Sequence, residues 1–285
     1  MSYREHAPPP ALVPWLECIW ERQAEPGQPE RVLPDGCIDI VWTEGAGAQV
    51  VGANRTAFLV PTTMSVRVIG ARMRPGCAPA LLGIGAEAVL DARLPIADAL
   101  SDVGRRLEAA LAESRDPIGT LRSELIARSL RAERPDPLVR AAVAGLDQSE
   151  VSISGLARAL GVSERGLRRR VSASVGYGPR RLARVLRLGR ALEAARSGGE
   201  LARVAYEAGY ADQAHFTNDC RALAGVPPSI VLAGGDGDGR PLSSPRGDRR
   251  VEPAARSGSR ALLSRELRAG GDRPHADHPR VGDER

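Results

Sequence analysis

The chain has 285 residues, 42% of them hydrophobic, with 40 basic against 35 acidic side chains and a net charge of +5. That is enough chain for two cored domains and a tail. No apolar run reaches the roughly eighteen residues of a membrane span, and MSYREHAPPP has no hydrophobic signal core, so a cytoplasmic protein with no membrane partner is expected.

Every basic residue is arginine, and the charge is unevenly spread: residues 1–137 hold 15 Arg against 18 acids, residues 138–232 hold 14 against 8, and residues 233–285 hold 11 against 9. A surface for a polyanion is therefore expected in the middle segment. Cys18, Cys37, Cys77 and Cys220 show no Cys-x-x-Cys pair and only His215 is near one of them, so no metal site, cofactor or disulfide is expected.

Residues 8–78 read as mainly extended. ALVPWLECIWERQ alternates weakly, Pro34–Gly36 makes a turn, and CIDIVWT is a strand with Ile38, Ile40 and Trp42 on one face and Asp39 and Val41 on the other. AQVVGAN, TAFLVPT and SVRVIGARMRP continue with Gly, Asn and Pro punctuation, which predicts a small β-barrel or sandwich. From Pro79 the period becomes helical, through APALLGI, PIADALSDVGRRLEAALAES and DPIGTLRSELIARSLRAER. Ile118, Leu121, Leu125 and Arg128 line one side of the last, a stripe that serves its own domain or a second subunit. Residues 1–134 thus form an N-terminal domain of sensor or dimerisation type within an α+β chain. Trp15, Trp20, Trp42 and Asp39 are its candidates for small-molecule contact, although tryptophans in such strands most often serve the core and Asp35 beside Gly36 most often serves the turn.

Arg134–Pro137 is a linker that ends in a helix start, with Asp136 at the N-cap and Pro137 in the first turn. From 136 to 232 the pattern is all helical. LVRAAVAGL buttresses ISGLARALGVSERGLRRRVSASVG, in which Leu156, Leu160, Val162, Leu167 and Val171 face inward across a tight turn at Gly161: a helix-turn-helix. At about 100° per residue, Arg165, Arg168, Arg169 and Ser172 fall opposite that packed face. A second copy, ELARVAYEAGYADQAHFTNDCRAL, places Val204, Ala208 and Tyr210 where the first has Leu156, Leu160 and Val162. Its turn is one residue longer, and Phe216, Cys220 and Leu223 face inward. Between the copies, Pro179 to Gly198 reads as one helix with Leu182, Val185, Leu186 and Leu192 on its apolar side; about twenty residues span about 30 Å, close to the roughly 34 Å of a DNA turn. Residues 233–285, rich in Gly, Asp, Arg and Pro, are expected to be a disordered tail.

The doubled helix-turn-helix and the closing run VAYEAGYADQAHFTNDCRALAGVPPS resemble the AraC/XylS family of bacterial transcription regulators, over about residues 138–232. PPPALVPWLECIW, VLPDGCIDIVW and MRPGCAPALLG are similar to a sensor-like region that accompanies such domains in a poorly characterised subset. The resemblance implies sequence-specific binding of double-stranded DNA, with base-reading positions at Arg165, Arg168 and Arg169 in the first unit and at Gln213, Ala214, His215 and Asn218 in the second. Ala214 cannot hydrogen-bond to a base. Cys220 and Val171 stand where the family commonly has aromatics.

The chemistry of these side chains fits the role. Arginine's planar fork matches guanine O6 and N7, which predicts a G-rich first half-site, and Gln213 and Asn218 suit adenine N6 and N7. His215 suits a base edge or a phosphate. Arg170, Arg180, Arg181 and Arg184 flank these faces and are expected on phosphates. The leading function is therefore a transcription regulator, not an enzyme, whose N-terminal domain takes a small-molecule effector or a partner. Two alternatives stay open: a DNA-repair alkyl acceptor with Cys37 as its reactive thiol, and a protein whose N-terminal domain only pairs subunits as a homodimer.

Overall fold

The computed structural model describes residues 2–27, 29–148 and 152–233. The tail expected at 233–285 lies, from 234 onward, outside the described residues. The strands are β1 (Ser2–His6), β2 (Leu16–Ala24), β3 (Glu30–Val32), β4 (Ile38–Thr43), β5 (Gly47–Val51), β6 (Phe58–Val60), β7 (Val66–Met73) and β8 (Arg93–Pro95). Six of them form an antiparallel sheet in the order β1-β2-β7-β4-β5-β8, and β3 pairs with β6 in a separate two-stranded ribbon.

Alternation along the strands gives the large sheet two faces. Ile19, Ile40, Trp42, Val50 and Ile69 share one buried face, and helices α2 (Ile96–Glu113) and α3 (Pro117–Ser129), preceded by α1 (Ala78–Leu82), pack on the sheet. The other face carries Trp20, Val41 and Val68 and is roofed by the ribbon. Gly70 lies opposite Trp20 in the β2–β7 register, and a Cβ there would collide with the indole. The bare backbone lets Trp20 lie flat across β7.

The turn before β4 is built as expected: the Asp35 carboxylate accepts the Cys37 N–H at 2.9 Å and Gly36 takes φ +83. Strands β1 and β8 went unread in the sequence. SYREH has four polar or charged residues in five and no apolar period, and Tyr3 is its one large side chain over the sheet.

The helical part comprises α4 (Pro137–Leu146), α5 (Ile153–Ala159), α6 (Glu164–Val175), α7 (Pro179–Arg196), α8 (Leu201–Glu207), α9 (Gln213–Ala224) and α10 (Pro228–Ala233). Asp136 caps α4 by accepting the Leu138 N–H at 2.9 Å. Leu156, Leu160, Leu167, Val171 and Val175 are buried in the first unit, and Val204, Ala208, Tyr210, Phe216, Cys220 and Leu223 in the second. The two glycines that turn each unit sit at φ +68 (Gly161) and +83 (Gly209), a region closed to most side chains.

The sheet region packs directly against the helical region, a feature without signal in the sequence. Gly36 lies against Leu182 and the Tyr177 hydroxyl, and Gly76 against Val139. Leu33 belongs to the core of the second unit with Leu192, Phe216 and Leu223. Across the same seam the Ala57 N–H donates to the Leu223 carbonyl at 2.7 Å and Arg31 Nη1 to the Ala224 carbonyl at 2.8 Å.

Candidate nucleic-acid interface and sheet cavity

Helices α6 and α9, the second helix of each unit, both begin on a side-chain cap. Ser163 accepts the Gly166 N–H at 3.1 Å to start α6, and Asp212 accepts the His215 N–H at 2.7 Å to start α9. Such a cap satisfies one of the orphan donors of the first turn and fixes where the helix begins. It also sets the faces: Leu167, Val171 and Val175 are buried, while Arg165, Arg168 and Arg169 are exposed on the opposite side of α6. In α9, Phe216, Cys220 and Leu223 are buried while Gln213, Ala214, His215 and Asn218 are exposed.

His215 is held from two sides. Its Nδ1 accepts the Ala211 N–H at 3.3 Å, and its ring meets the edge or face of Tyr210 at 5.1 Å between centroids. With Nδ1 accepting, the neutral ring carries its proton on Nε2, the assignment this hydrogen bond requires. His215 therefore offers a donor outward, suited to guanine O6 or N7, thymine O4 or a phosphate oxygen.

The four flanking arginines differ from one another. Arg180 is exposed. Arg170 Nη1 pairs with Asp136 Oδ2 at 2.8 Å, tying α6 to the capped start of α4. Arg181 Nη1 donates to the Arg55 carbonyl at 2.9 Å. Arg184 Nε donates to Asp219, a carboxylate only 4% exposed that also accepts the Tyr210 hydroxyl at 3.0 Å. Arg187 lies 3.5 Å from the same carboxylate and 4.3 Å over the Tyr210 ring. Burial and the nearby Asp219 raise the Tyr210 phenol well above its ordinary pKa, so it stays a neutral donor. Sequence spacing drew no attention to Asp219, although a lone acid on the inner side of a reading helix is itself a signal of an internal ion pair.

Helix α7 runs through both units. Its 18 residues correspond to about 27 Å. Leu182, Val185, Leu186 and Leu192 are all buried, and Arg190 Nη1 reaches Asp147 Oδ1 at 2.8 Å, fastening α7 to the end of α4.

In the sheet region a cavity of about 520 Å³ opens between the ribbon and the Trp20 face of the sheet, with Trp20, Val41, Val68, Phe58 and Val60 among its walls. Of the sequence candidates for small-molecule contact, Trp20 lines it. Its Nε1–H donates to Asp39 at 3.3 Å, and Asp39 faces the buried Arg72 guanidinium at 3.7 Å. Trp15 and Trp42 are buried outside the cavity lining. Among the described residues no cluster of three or more metal-ligating side chains occurs, and no helix is long and apolar enough to cross a membrane.

Residues 156–233 match a family model described as a helix-turn-helix domain, and residues 4–95 match one described as a domain of unknown function (DUF6597). No curated protein matches the chain. Among solved structures, the C-terminal domain of AraT, a response regulator from Geobacillus stearothermophilus, is similar at 25% identity and a TM-score of 0.33, over 35% of this chain and 88% of its own. ToxT from Vibrio cholerae O395 is similar at 11% identity and a TM-score of 0.44, over 77% of this chain and 99% of its own. Unsaturated fatty acid bound wild-type ToxT from Vibrio cholerae strain SCE256 is similar at 12% identity and a TM-score of 0.40, over 75% of this chain and 93% of its own.

Proposed function

We propose that this chain, a DNA-binding transcription regulator by virtue of its AraC-type helix-turn-helix domain, reads double-stranded DNA with α6 and α9 set in successive major grooves. The observation that carries this is the pair of capped helices, each with its apolar side buried and its polar side exposed, joined by one packed rod. A rod of about 27 Å, with a helix radius added at each end, is commensurate with the roughly 34 Å between major grooves on one side of the duplex.

In this reading Arg165, Arg168 and Arg169 address guanines, Gln213 and Asn218 address adenines, and His215 donates through Nε2. Arg180 serves phosphates as it stands. Arg170, Arg181 and Arg184 must exchange an internal acceptor for a phosphate to do so, which favours Arg180 as the main non-specific contact. Residues 136–232 are the DNA-binding domain and residues 1–134 the sensing one, with the 520 Å³ cavity, a size suited to a small molecule, as the effector site.

The alternatives require features that are otherwise engaged. An alkyl acceptor needs a thiolate within reach of DNA, but Cys37 is 3% exposed and burial pushes its thiol well up. The α3 stripe of Ile118, Leu121 and Leu125 is buried inside this chain, so a homodimer needs another face. The test is selection from random duplexes with the full chain, followed by footprinting. Two protected segments about one helical turn apart, the first G-rich, are expected; a single short footprint would overturn the two-reader mechanism.

A further inference from the structure

The ribbon formed by β3 and β6 has two faces with different neighbours. Its register pairs Glu30 with Val60, Arg31 with Leu59 and Val32 with Phe58. Because side chains alternate along a strand, Glu30, Val32, Phe58 and Val60 all point to one side and line the cavity, while Arg31 points to the other. There Arg31 donates to the Ala224 carbonyl at 2.8 Å, and just before β6 the Ala57 N–H donates to the Leu223 carbonyl at 2.7 Å. Leu223 and Ala224 end α9, where the last carbonyls of a helix have no partner of their own and a cation is favoured. Leu33, one residue beyond β3, completes the contact in the core of the second unit.

The first unit is held differently. It meets the sheet region through Gly36 against Leu182 and Tyr177, Gly76 against Val139, Ala86 and Leu90 against Gly176, and Arg181 on the Arg55 carbonyl. None of these sheet-region residues lines the cavity. The wall that a guest would press is thus the clamp on the second reading helix and not on the first.

The cavity also says what kind of guest it suits. Its charged wall residues are Arg22, Arg93, Glu30 and Glu44, two of each sign. Arg22 and Glu30 form an ion pair with each other, and the Arg93 guanidinium lies 4.0 Å over the Phe58 ring. With Arg22 held by Glu30 and Arg93 seated on Phe58, and aromatic and valine side chains making up much of the wall, an anion in the cavity would have to compete with Glu30 or Phe58 for its arginine, whereas an uncharged guest buries apolar surface at no such cost.

We propose that an uncharged, largely aromatic or apolar small molecule binds between the ribbon and the sheet and, through Arg31 and Ala57, loosens α9 while leaving α6 set. This rests on the two-reader function proposed above. The direction follows from the contacts: at 2.7 and 2.8 Å neither ribbon bond has room to shorten, so a ribbon pushed outward by a guest drives the end of α9 off its seat and strains both bonds.

The experiment uses the full chain with 2-naphthol, 2-naphthoate as the anionic control, and a duplex selected by the wild type. Saturable quenching of tryptophan fluorescence by 2-naphthol is expected, with affinity at least about tenfold above that of 2-naphthoate. Hydrogen exchange at the Ala57 amide should quicken by about tenfold, a modest allosteric coupling, and protection of the second half-site should weaken by a similar factor while the first is unchanged. Arg31→Gln should bind 2-naphthol as before and lose most of the second half-site response. Val41→Phe, which fills the cavity from the opposite wall, should reproduce the exchange change without any ligand.

Equal or tighter binding of 2-naphthoate, or no binding of either, overturns the ligand class. An unchanged Ala57 amide, an effect on the first half-site, or an Arg31→Gln chain that still responds overturns the coupling. A wild type that never protects a second half-site refutes the two-reader function instead, and the Ala57 exchange then still decides whether the ribbon moves.

Discussion

Asp219→Ala tests the polar centre of the second unit. The carboxylate is 4% exposed and accepts from Tyr210, itself 3% exposed, at 3.0 Å. Deleting it leaves a buried hydroxyl without that acceptor, a loss of about 1–3 kcal/mol. Arg184 and Arg187 have side chains 37% and 27% exposed, so both can turn toward water, and each lost ion pair is worth at most about 1 kcal/mol. The expected total is about 3 kcal/mol, below the ceiling of about 5 for stripping one partner from a fully buried pair. That is more than a hundredfold in the folding equilibrium, or a fall in melting temperature of about 6–12 °C if residues 2–233 unfold together.

Urea unfolding followed by far-UV circular dichroism measures the change. Asp219→Asn keeps an acceptor for Tyr210 and should recover about half of it. The same variant probes Arg184: once released in Asp219→Ala it becomes available to a phosphate, and the salt slope of non-specific DNA binding should steepen by about 0.9. A destabilisation under about 1 kcal/mol in Asp219→Ala would refute the account of a buried carboxylate organising α7 against α9.

Arg169→Ala should cost about 1–3 kcal/mol on the selected site and relax choice at one base pair, while Arg180→Ala should weaken all duplexes alike and lower the salt slope by about 1; competition binding at several salt concentrations separates the two. One residue inserted after Arg187 turns the rest of α7 by about 100° and advances it by about 1.5 Å, so footprinting should show the second half-site lost and the first retained. For the thiols, burial pushes Cys77 up to about 11 and Cys220 up to about 12. A raised pKa keeps the thiol neutral until the pH approaches it, so at pH 8 only about one Cys77 in a thousand is thiolate. Disulfide-exchange reagents should therefore label native protein hardly at all and reach all four cysteines in urea; rapid native labelling of Cys37 would revive the alkyl-acceptor alternative.

The helical half was legible because its core is local. Leu167, Val171 and Val175, or Phe216, Cys220 and Leu223, recur at helical spacing within a dozen residues, and Gly161 and Gly209 mark the turns with a conformation few residues accept. The sheet was legible where a strand was long and half buried: β4 alternates as expected, and Asp35 and Gly36 announce the turn before it. Short or polar strands gave no comparable signal. Arg93–Pro95 has three residues, and Ser2–His6 becomes a strand only because β2 offers it an edge. The cavity was not legible at all, since its walls come from segments between Tyr3 and Arg93 whose register is set by long-range pairing.

The site shows a further limit, visible in how the arginines divide. Arg165, Arg168 and Arg169 could be placed on one exposed face from helical phase alone, because exposure on an amphipathic helix follows from the phase of its apolar residues. What Arg170, Arg181 and Arg184 do depends instead on acceptors 34, 126 and 35 residues away in sequence, and no local pattern carries that information. A positive side chain beside a reading face therefore has two destinations that look identical in sequence: a phosphate, or an internal carbonyl or carboxylate that fixes the helix which does the reading. The energetics separate them. A phosphate contact adds affinity that salt removes, whereas the pairing of Arg184 with the 4% exposed Asp219 is screened little by salt and acts on the placement of α9. On the two-reader proposal, specificity at the second half-site then rests on residues that touch no DNA: Asp219 and Tyr210 beneath α9, and Arg31 at its end.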